Sequence, residues 1–190
     1  MPKTEEQYQE IRDQKRKLIM EAALELFAEK GFATTSINLI AKKAGISKGL
    51  IYNYFESKDE LITTIINIGF EDFLSIIDLN RVTPLTDEEF VNYINQTINL
   101  LKTNLHFYKL YFQIMGQPEV LKLVENKLME LIMPFMIMMS TYFETKGHEN
   151  PMAYSRFFGA MLDGVFLNYV VDPDNFPIDE VKDIIIKKFI

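Results

Sequence analysis

The chain has 190 residues, 48% apolar and 25% charged, with 20 Lys and Arg against 27 Asp and Glu and a net charge of −7. These values exclude a disordered or fibrous chain and allow one large domain, or a small domain joined to a medium one, with a real core. The absence of Cys excludes disulfides, thiolate metal sites and Cys nucleophiles, and the two His residues, His106 and His148, lie too far apart in sequence to suggest a His-based metal or catalytic pair.

The opening MPKTEEQYQEIRDQKRK lacks the apolar segment of a secretory signal. The longest greasy run, from Leu131 to Phe143, is broken by Pro134 and too short to span a bilayer. The expectation is a soluble cytoplasmic protein with no membrane segment. Apolar spacing is helical nearly throughout, and no segment alternates as a strand would. A first helix carries Ile19, Ala22, Ala23, Leu26 and Phe27 on one face and stops at Gly31. A short second helix, opened by Thr35 or Ser36, carries Ile37, Ile40, Ala41 and Ala44 and closes at Gly45. A third opens at Ser47 and carries Ile51, Tyr54 and Phe55. A fourth opens on the capping box Ser57-Lys58-Asp59-Glu60 and runs to about Leu79. Thr86-Asp87-Glu88-Glu89 is a second capping box, starting a helix of about twenty residues. Further helices are predicted over His106 to Met115, from Pro118 to about Thr145 with Pro134 as a kink, from Pro151 to Val170, and from Ile178 onward. The fold class is all-α, about nine helices, with a head of residues 1–57 and a body of residues 58–190.

The net charge hides an asymmetry. Residues 1–60 hold 10 basic and 10 acidic side chains, whereas residues 61–190 hold 10 and 17. Within the head, two stubby helices joined by Ala44-Gly45-Ile46 match a helix-turn-helix over about residues 36–55. The spacing alone fits an αα-corner inside a bundle equally well. Three features favour nucleic acid. The outward face of the third helix, Lys48, Gly49, Tyr52 and Asn53, has no acid. Ser47, Lys48 and Gly49 at its start offer backbone N–H groups, a hydroxyl, a cation and room for a phosphate. Arg12, Lys15, Arg16 and Lys17 cluster at the start of the first helix, with Glu21, Glu25 and Glu29 in its later turns, the opposite of the order the helix dipole prefers.

The stretch LIMEAALELFAEKGFATTSINLIAKKAGISKGLIYNYFESKDEL, residues 18–61, closely resembles the DNA-binding head of tetracycline-repressor (TetR) family regulators, ungapped over more than forty residues. The body resembles the family only diffusely, chiefly through Asp163-Gly164 in what looks like a dimerisation helix. The resemblance implies an all-α homodimer and a transcriptional regulator, usually a repressor. It implies phosphate contacts from Thr35 and Ser36 at the start of the second helix, and a recognition-helix start at Ser47, Lys48 and Gly49. Tyr52 takes the place of the family's tyrosine, which meets phosphate or a thymine methyl. Tyr54 stands where His or Tyr is frequent, and Lys58 matches a lysine that pairs with phosphate. Asn38 sits where a longer polar or basic side chain is frequent. Asn53 has the chemistry to read adenine bidentately, and Leu50 either meets a thymine methyl or only packs.

The body holds 12 of 15 Phe and 8 of 10 Met. Core packing accounts for such residues one by one, but Met is an adaptable filler of permissive binding surfaces. A cavity for a hydrophobic or aromatic effector is therefore expected among the helices at 61–79, 86–104, 106–115 and 118–145, where the resemblance places the inducer pocket. Tyr93, His106, Tyr108, Tyr111, Phe112, Met133, Met136 and Tyr142 are its candidate lining. The small residues Gly159, Ala160 and Gly164, with Leu167, Ile184 and Ile185, are the candidate dimer interface. The partners expected are double-stranded operator DNA, a small-molecule effector and a second copy of the chain. No metal, cofactor or catalytic constellation is expected, so the chain is not read as an enzyme. The competing reading is a helical carrier of apolar small molecules that never touches DNA.

Overall fold

Thr4 starts the first helix: its hydroxyl accepts the Gln7 N–H at 3.4 Å, and the Gln7 side chain accepts the Thr4 N–H at 3.1 Å. The computed structural model describes residues 4–190. Among them are nine helices and no strand: α1 (Glu5–Lys30), α2 (Ile37–Lys43), α3 (Lys48–Tyr52), α4 (Lys58–Leu74), α5 (Asp87–Thr103), α6 (Leu105–Met115), α7 (Pro118–Thr145), α8 (Pro151–Val171) and α9 (Ile178–Phe189). The expected helix count and order hold, with two differences in length. α4 stops at Leu74 rather than near Leu79. There the Ser75 hydroxyl donates to the Asp72 carbonyl at 2.9 Å, taking one of the acceptors the helix end leaves open. α3 is five residues long and ends at Tyr52, before the Tyr54 and Phe55 expected on it.

The start of α1 removes one argument from the sequence. Its first turn contains Glu5 and Glu6, which the helix dipole favours. Arg12, Lys15, Arg16 and Lys17 therefore lie in its middle turns, and their position carries no dipole penalty.

The chain packs as two compact units. One comprises the described residues up to Ile68 with Leu110–Glu125, the other Gly69–Lys109 with Asn126–Ile190. In the first unit Ile19, Ala23, Phe27, Ile40, Ile51, Phe55, Leu61, Ile62 and Val120 are buried. Capping lets its two short helices exist, since helices of this length are not stable alone. In the second unit the ends of α5, α7, α8 and α9 supply an aromatic cluster. The Phe90 ring stacks on Tyr142 at 4.9 Å, and Phe158 meets Phe189 at 5.1 Å and Phe143 at 5.8 Å. Such ring pairs add to the area they bury. The loop before α5 is pinned by Arg81, whose guanidinium donates to both Glu89 carboxylate oxygens at 3.0 and 2.9 Å and to the Pro84 carbonyl. Among the described residues, no helix is long and apolar enough to cross a membrane.

Candidate nucleic-acid interface

α2 and α3 begin the same way. Ser36 is extended, with φ −102° and ψ 155°, and its hydroxyl accepts the Leu39 N–H at 3.3 Å. Ser47 repeats this, accepting the Leu50 N–H at 3.2 Å. Each hydroxyl acts as a cap through its oxygen, which leaves its own hydrogen to donate elsewhere. Between them α2 ends on Gly45 at φ +65°. The Ile46 N–H returns to the Ala41 carbonyl at 3.0 Å, and the Gly45 N–H to Lys42 at 3.3 Å. This pair of bonds needs a left-handed residue, which is why the turn carries glycine.

The two helices are anchored by Ile37, Ile40, Ala41, Ile51 and Phe55, all buried. What they leave outside is Ser36, Asn38, Leu39, Lys42, Lys43, Gly45, Ser47, Lys48, Gly49, Tyr52 and Asn53. No Asp or Glu occurs between Glu29 and Glu56, so this face has no carboxylate of its own. The Lys48 ammonium lies 5.9 Å from the Tyr52 ring centre, on the same exposed edge. A Cβ built on Gly49 meets nothing within 4 Å, so the backbone is open to close approach. α1 contributes cations beside α3: Arg12 lies over the Tyr54 ring at 5.8 Å and Arg16 over Phe55 at 5.2 Å. Tyr54 is half-buried as a result. Lys43 is engaged with Glu25 at 2.5 Å.

Two expected phosphate contacts are corrected. Thr35 is 1% exposed, and its hydroxyl lies 2.8 Å from the Gly31 carbonyl and 3.1 Å from that of Leu26. It ties the loop after α1 and does not face outward. Lys58 points inward as well. Its ammonium donates to the Phe32 carbonyl at 2.7 Å and the Thr35 carbonyl at 3.0 Å, and lies 4.2 Å from the Phe32 ring centre. Loop carbonyls here take the place assigned to phosphate.

The candidate effector residues do not form one lining. Tyr111 and Phe112 belong to the first unit, the other six to the second. Three phenols are used internally. Tyr108 lies 3.4 Å from an Asp72 carboxylate oxygen, and Tyr111 donates to the Ile66 carbonyl at 3.2 Å. Tyr142 donates to Asp87 at 3.0 Å and sits inside the aromatic cluster, with the Phe189 carbonyl at 3.3 Å. They are corrected from free polar handles to internal struts. Burial pushes the Tyr93, Tyr108 and Tyr142 phenols upward, while hydrogen bonds from Lys146 and Tyr142 hold the Asp87 carboxyl below its usual range. Tyr93 is buried beside Phe135, with ring centres 5.3 Å apart. Met136 is half-buried, and Met133 and His106 are exposed. A groove of about 340 Å³ does occur in the second unit, but Leu79, Val82, Pro84, Pro134, Ile137 and Met138 line it and none of the eight candidates does.

The candidate dimer residues divide clearly. On α8, Phe157, Ala160, Gly164, Leu167 and Val171 recur at alternating steps of three and four. Phe157, Leu167 and Val171 are 50%, 48% and 70% exposed. Built Cβ atoms on Gly159 and Gly164 meet nothing within 4 Å. Ile184 on α9 is 63% exposed, whereas Ile185 is buried in the chain's own core and is corrected out of the set. The sequence reading also missed Gln117, whose carboxamide reaches backbone 85 and 90 residues earlier; no periodicity signals such a contact.

Comparison with known proteins agrees with this geometry. Residues 19–65 match the family model described as bacterial regulatory proteins, tetR family. The chain is 48% identical over 58 residues to the HTH-type transcriptional regulator YuxN of Bacillus subtilis (strain 168), a match covering 30% of this chain and only 20% of YuxN. Over nearly its whole length the chain folds like two solved proteins. One is the fatty acid degradation regulator FadR of Bacillus halodurans, with TM-score 0.72 and 20% identity, covering 92% of this chain and 94% of that one. The other is NalD of Pseudomonas aeruginosa, the secondary repressor of the MexAB-OprM multidrug efflux pump, with TM-score 0.72 and 22% identity, covering 95% of each. The head of the chain, residues 19–65, is thus similar to that of the tetR family of bacterial regulatory proteins.

Proposed function

We propose that the chain is a homodimeric, ligand-responsive transcriptional regulator, a repressor, which grips palindromic duplex DNA through α2 and α3 and lets go when a small hydrophobic or aromatic effector binds. The reading is of a cytoplasmic regulator and not an enzyme, needing no cofactor, with head 1–57 reading DNA and body 58–190 serving dimerisation and ligand sensing. The observation that carries it is the outward face of α3: Lys48, Gly49, Tyr52 and Asn53 stand exposed, without a carboxylate among them, on a helix whose other side is core. Ser36, Asn38 and Ser47 extend that face, and Arg12, Lys15 and Tyr54 flank it. Lys48, the serine hydroxyls and backbone N–H groups suit phosphate, while Tyr52 and Asn53 have the shapes that read base edges.

A palindrome requires two such faces about 34–36 Å apart, and hence a second copy. The exposed apolar seam of α8 and α9 supports that requirement, since a closed dimer would bury it. α4 begins in the first unit and ends in the second, so an effector that favours one position of α4 alters the placement of the head. A hundredfold loss of operator affinity takes only about 2.7 kcal/mol of differential binding.

The reading is tested by electrophoretic mobility shift on DNA from upstream of the protein's own coding sequence. The wild-type chain shifts a discrete fragment over random competitor, and Lys48→Ala or Tyr52→Ala weakens the shift tenfold or more while remaining folded and dimeric. Unchanged binding by both variants overturns the assignment of α3.

A further inference from the structure

Gln117 holds an unusual position. With Gly116 it makes up the whole connection between α6 and α7. Its carbonyl accepts the Val120 and Leu121 N–H groups at 3.0 and 3.1 Å, so it is the N-cap of α7, with Pro118 following. Ser, Thr, Asp and Asn serve that place best, because a short side chain turns back onto its own helix. The Gln117 side chain instead reaches across to α1. Its Oε1 accepts the Phe32 N–H at 2.7 Å, and its Nε2 donates to the Phe27 carbonyl at 2.9 Å. Phe27 O also receives the Gly31 N–H at 3.1 Å, so the carboxamide uses the second lone pair of that carbonyl. One carboxamide therefore pins both sides of the turn at Gly31, whose φ is +85°.

The same turn is held from α4. Lys58 donates to Phe32 O and Thr35 O, and the Thr35 hydroxyl bonds back to Leu26 O. Ser36, the cap of α2, follows directly. Two side chains from outside the three-helix head thus converge on Phe32, five residues before α2 begins. Tyr111 completes the frame by bonding α6 to the Ile66 carbonyl of α4 at 3.2 Å. Both α6 and α7 run on into the second unit.

We infer that Gln117 is a positioning residue: its two hydrogen bonds make the α6–α7 turn and the DNA-reading helices one coupled element, so that a shift of α6 or α7 re-aims α2 and operator binding in turn stiffens the α6–α7 turn. The inference rests on the operator-binding reading above. Coupling is reciprocal, so it is measurable from the DNA side without an effector.

The probe is a duplex selected from random-sequence DNA by the full-length wild-type chain. Amide exchange is followed in residues 110–121 with and without it, together with duplex affinity, melting and light scattering. In the wild type, duplex binding slows exchange in residues 110–121. In Gln117→Ala that long-range protection disappears and affinity falls about tenfold, within the usual 5–150-fold range of coupling, while protection of α2 and α3 persists. Gln117→Glu keeps the acceptor for Phe32 N–H but sets a carboxylate against Phe27 O, so it loses the protection too; it decides the matter if the alanine variant does not fold. A folded variant with wild-type affinity and wild-type protection at 110–121 overturns the coupling alone. A wild-type chain that selects no duplex overturns the operator reading, and the coupling with it.

Discussion

At the scale of single residues, two cations of the same charge have opposite uses. Lys48 stands in solvent beside Tyr52 with no carboxylate near it in sequence, whereas Lys58 has its ammonium on two carbonyls and an aromatic face. Removing the second strands those carbonyls without their donor. Lys58→Met is expected to cost about 2 kcal/mol, the scale of hydrogen bonds to a charged group, read from chemical denaturation. Glu89 has its own signature. Hydrogen bonds from Arg81, then from the Thr86 backbone, lower its carboxyl from 4.5 to about 2. Because the folded value lies below the unfolded one, this contribution is complete above about pH 4.5 and is lost as pH falls towards 2. In thermal scans from pH 6 to pH 2.5, Arg81→Gln should therefore lose less melting temperature on acidification than the wild type. Equal pH slopes would remove the role given to this pair.

At the scale of elements, helix existence was legible because apolar spacing, capping boxes and Gly stops agreed. Thr86 with Glu89 is an example: the motif read from sequence is present as a reciprocal pair of bonds. Less legible was which of two neighbouring apolar residues faces inward. On α9, Ile184 and Ile185 are adjacent and chemically identical, yet one is exposed and the other buried. About 100° of helix rotation separates them, and only the packed neighbours decide. The seam Phe157, Ala160, Gly164, Leu167 and Val171 belongs to this scale too. A carboxylate placed on it at Leu167→Asp or Gly164→Asp has no partner if a second α8 covers it. Each variant should be monomeric by light scattering with its helical content intact, and a persistent dimer would move the interface elsewhere.

At the scale of the molecule, charge is divided: residues 61–190 hold the entire net −7, and the outward face of α2 and α3 carries none of it. Such a body repels a polyanion and so favours approach by the head. Operator affinity should fall steeply with salt, and Lys48→Ala should reduce the slope of log affinity against log salt by about 1, the release of one phosphate's counterion. A slope unchanged in that variant would show that Lys48 meets no phosphate.

The all-helical class, the order of elements and the helix-turn-helix were decided by the sequence itself, because each depends on contacts within a few residues: a cap, a Gly at positive φ, a face of period 3.6. The resemblance over residues 18–61 works at the same short range. Only the tertiary structure decided that Thr35 and Lys58 face inward, that Tyr108, Tyr111 and Tyr142 give their hydroxyls to other helices, and that Gln117 closes the end of α1 from ninety residues away. A polar side chain is satisfied by whichever donor or acceptor the fold brings within about 3 Å, and the order of residues along the chain does not say which one that is.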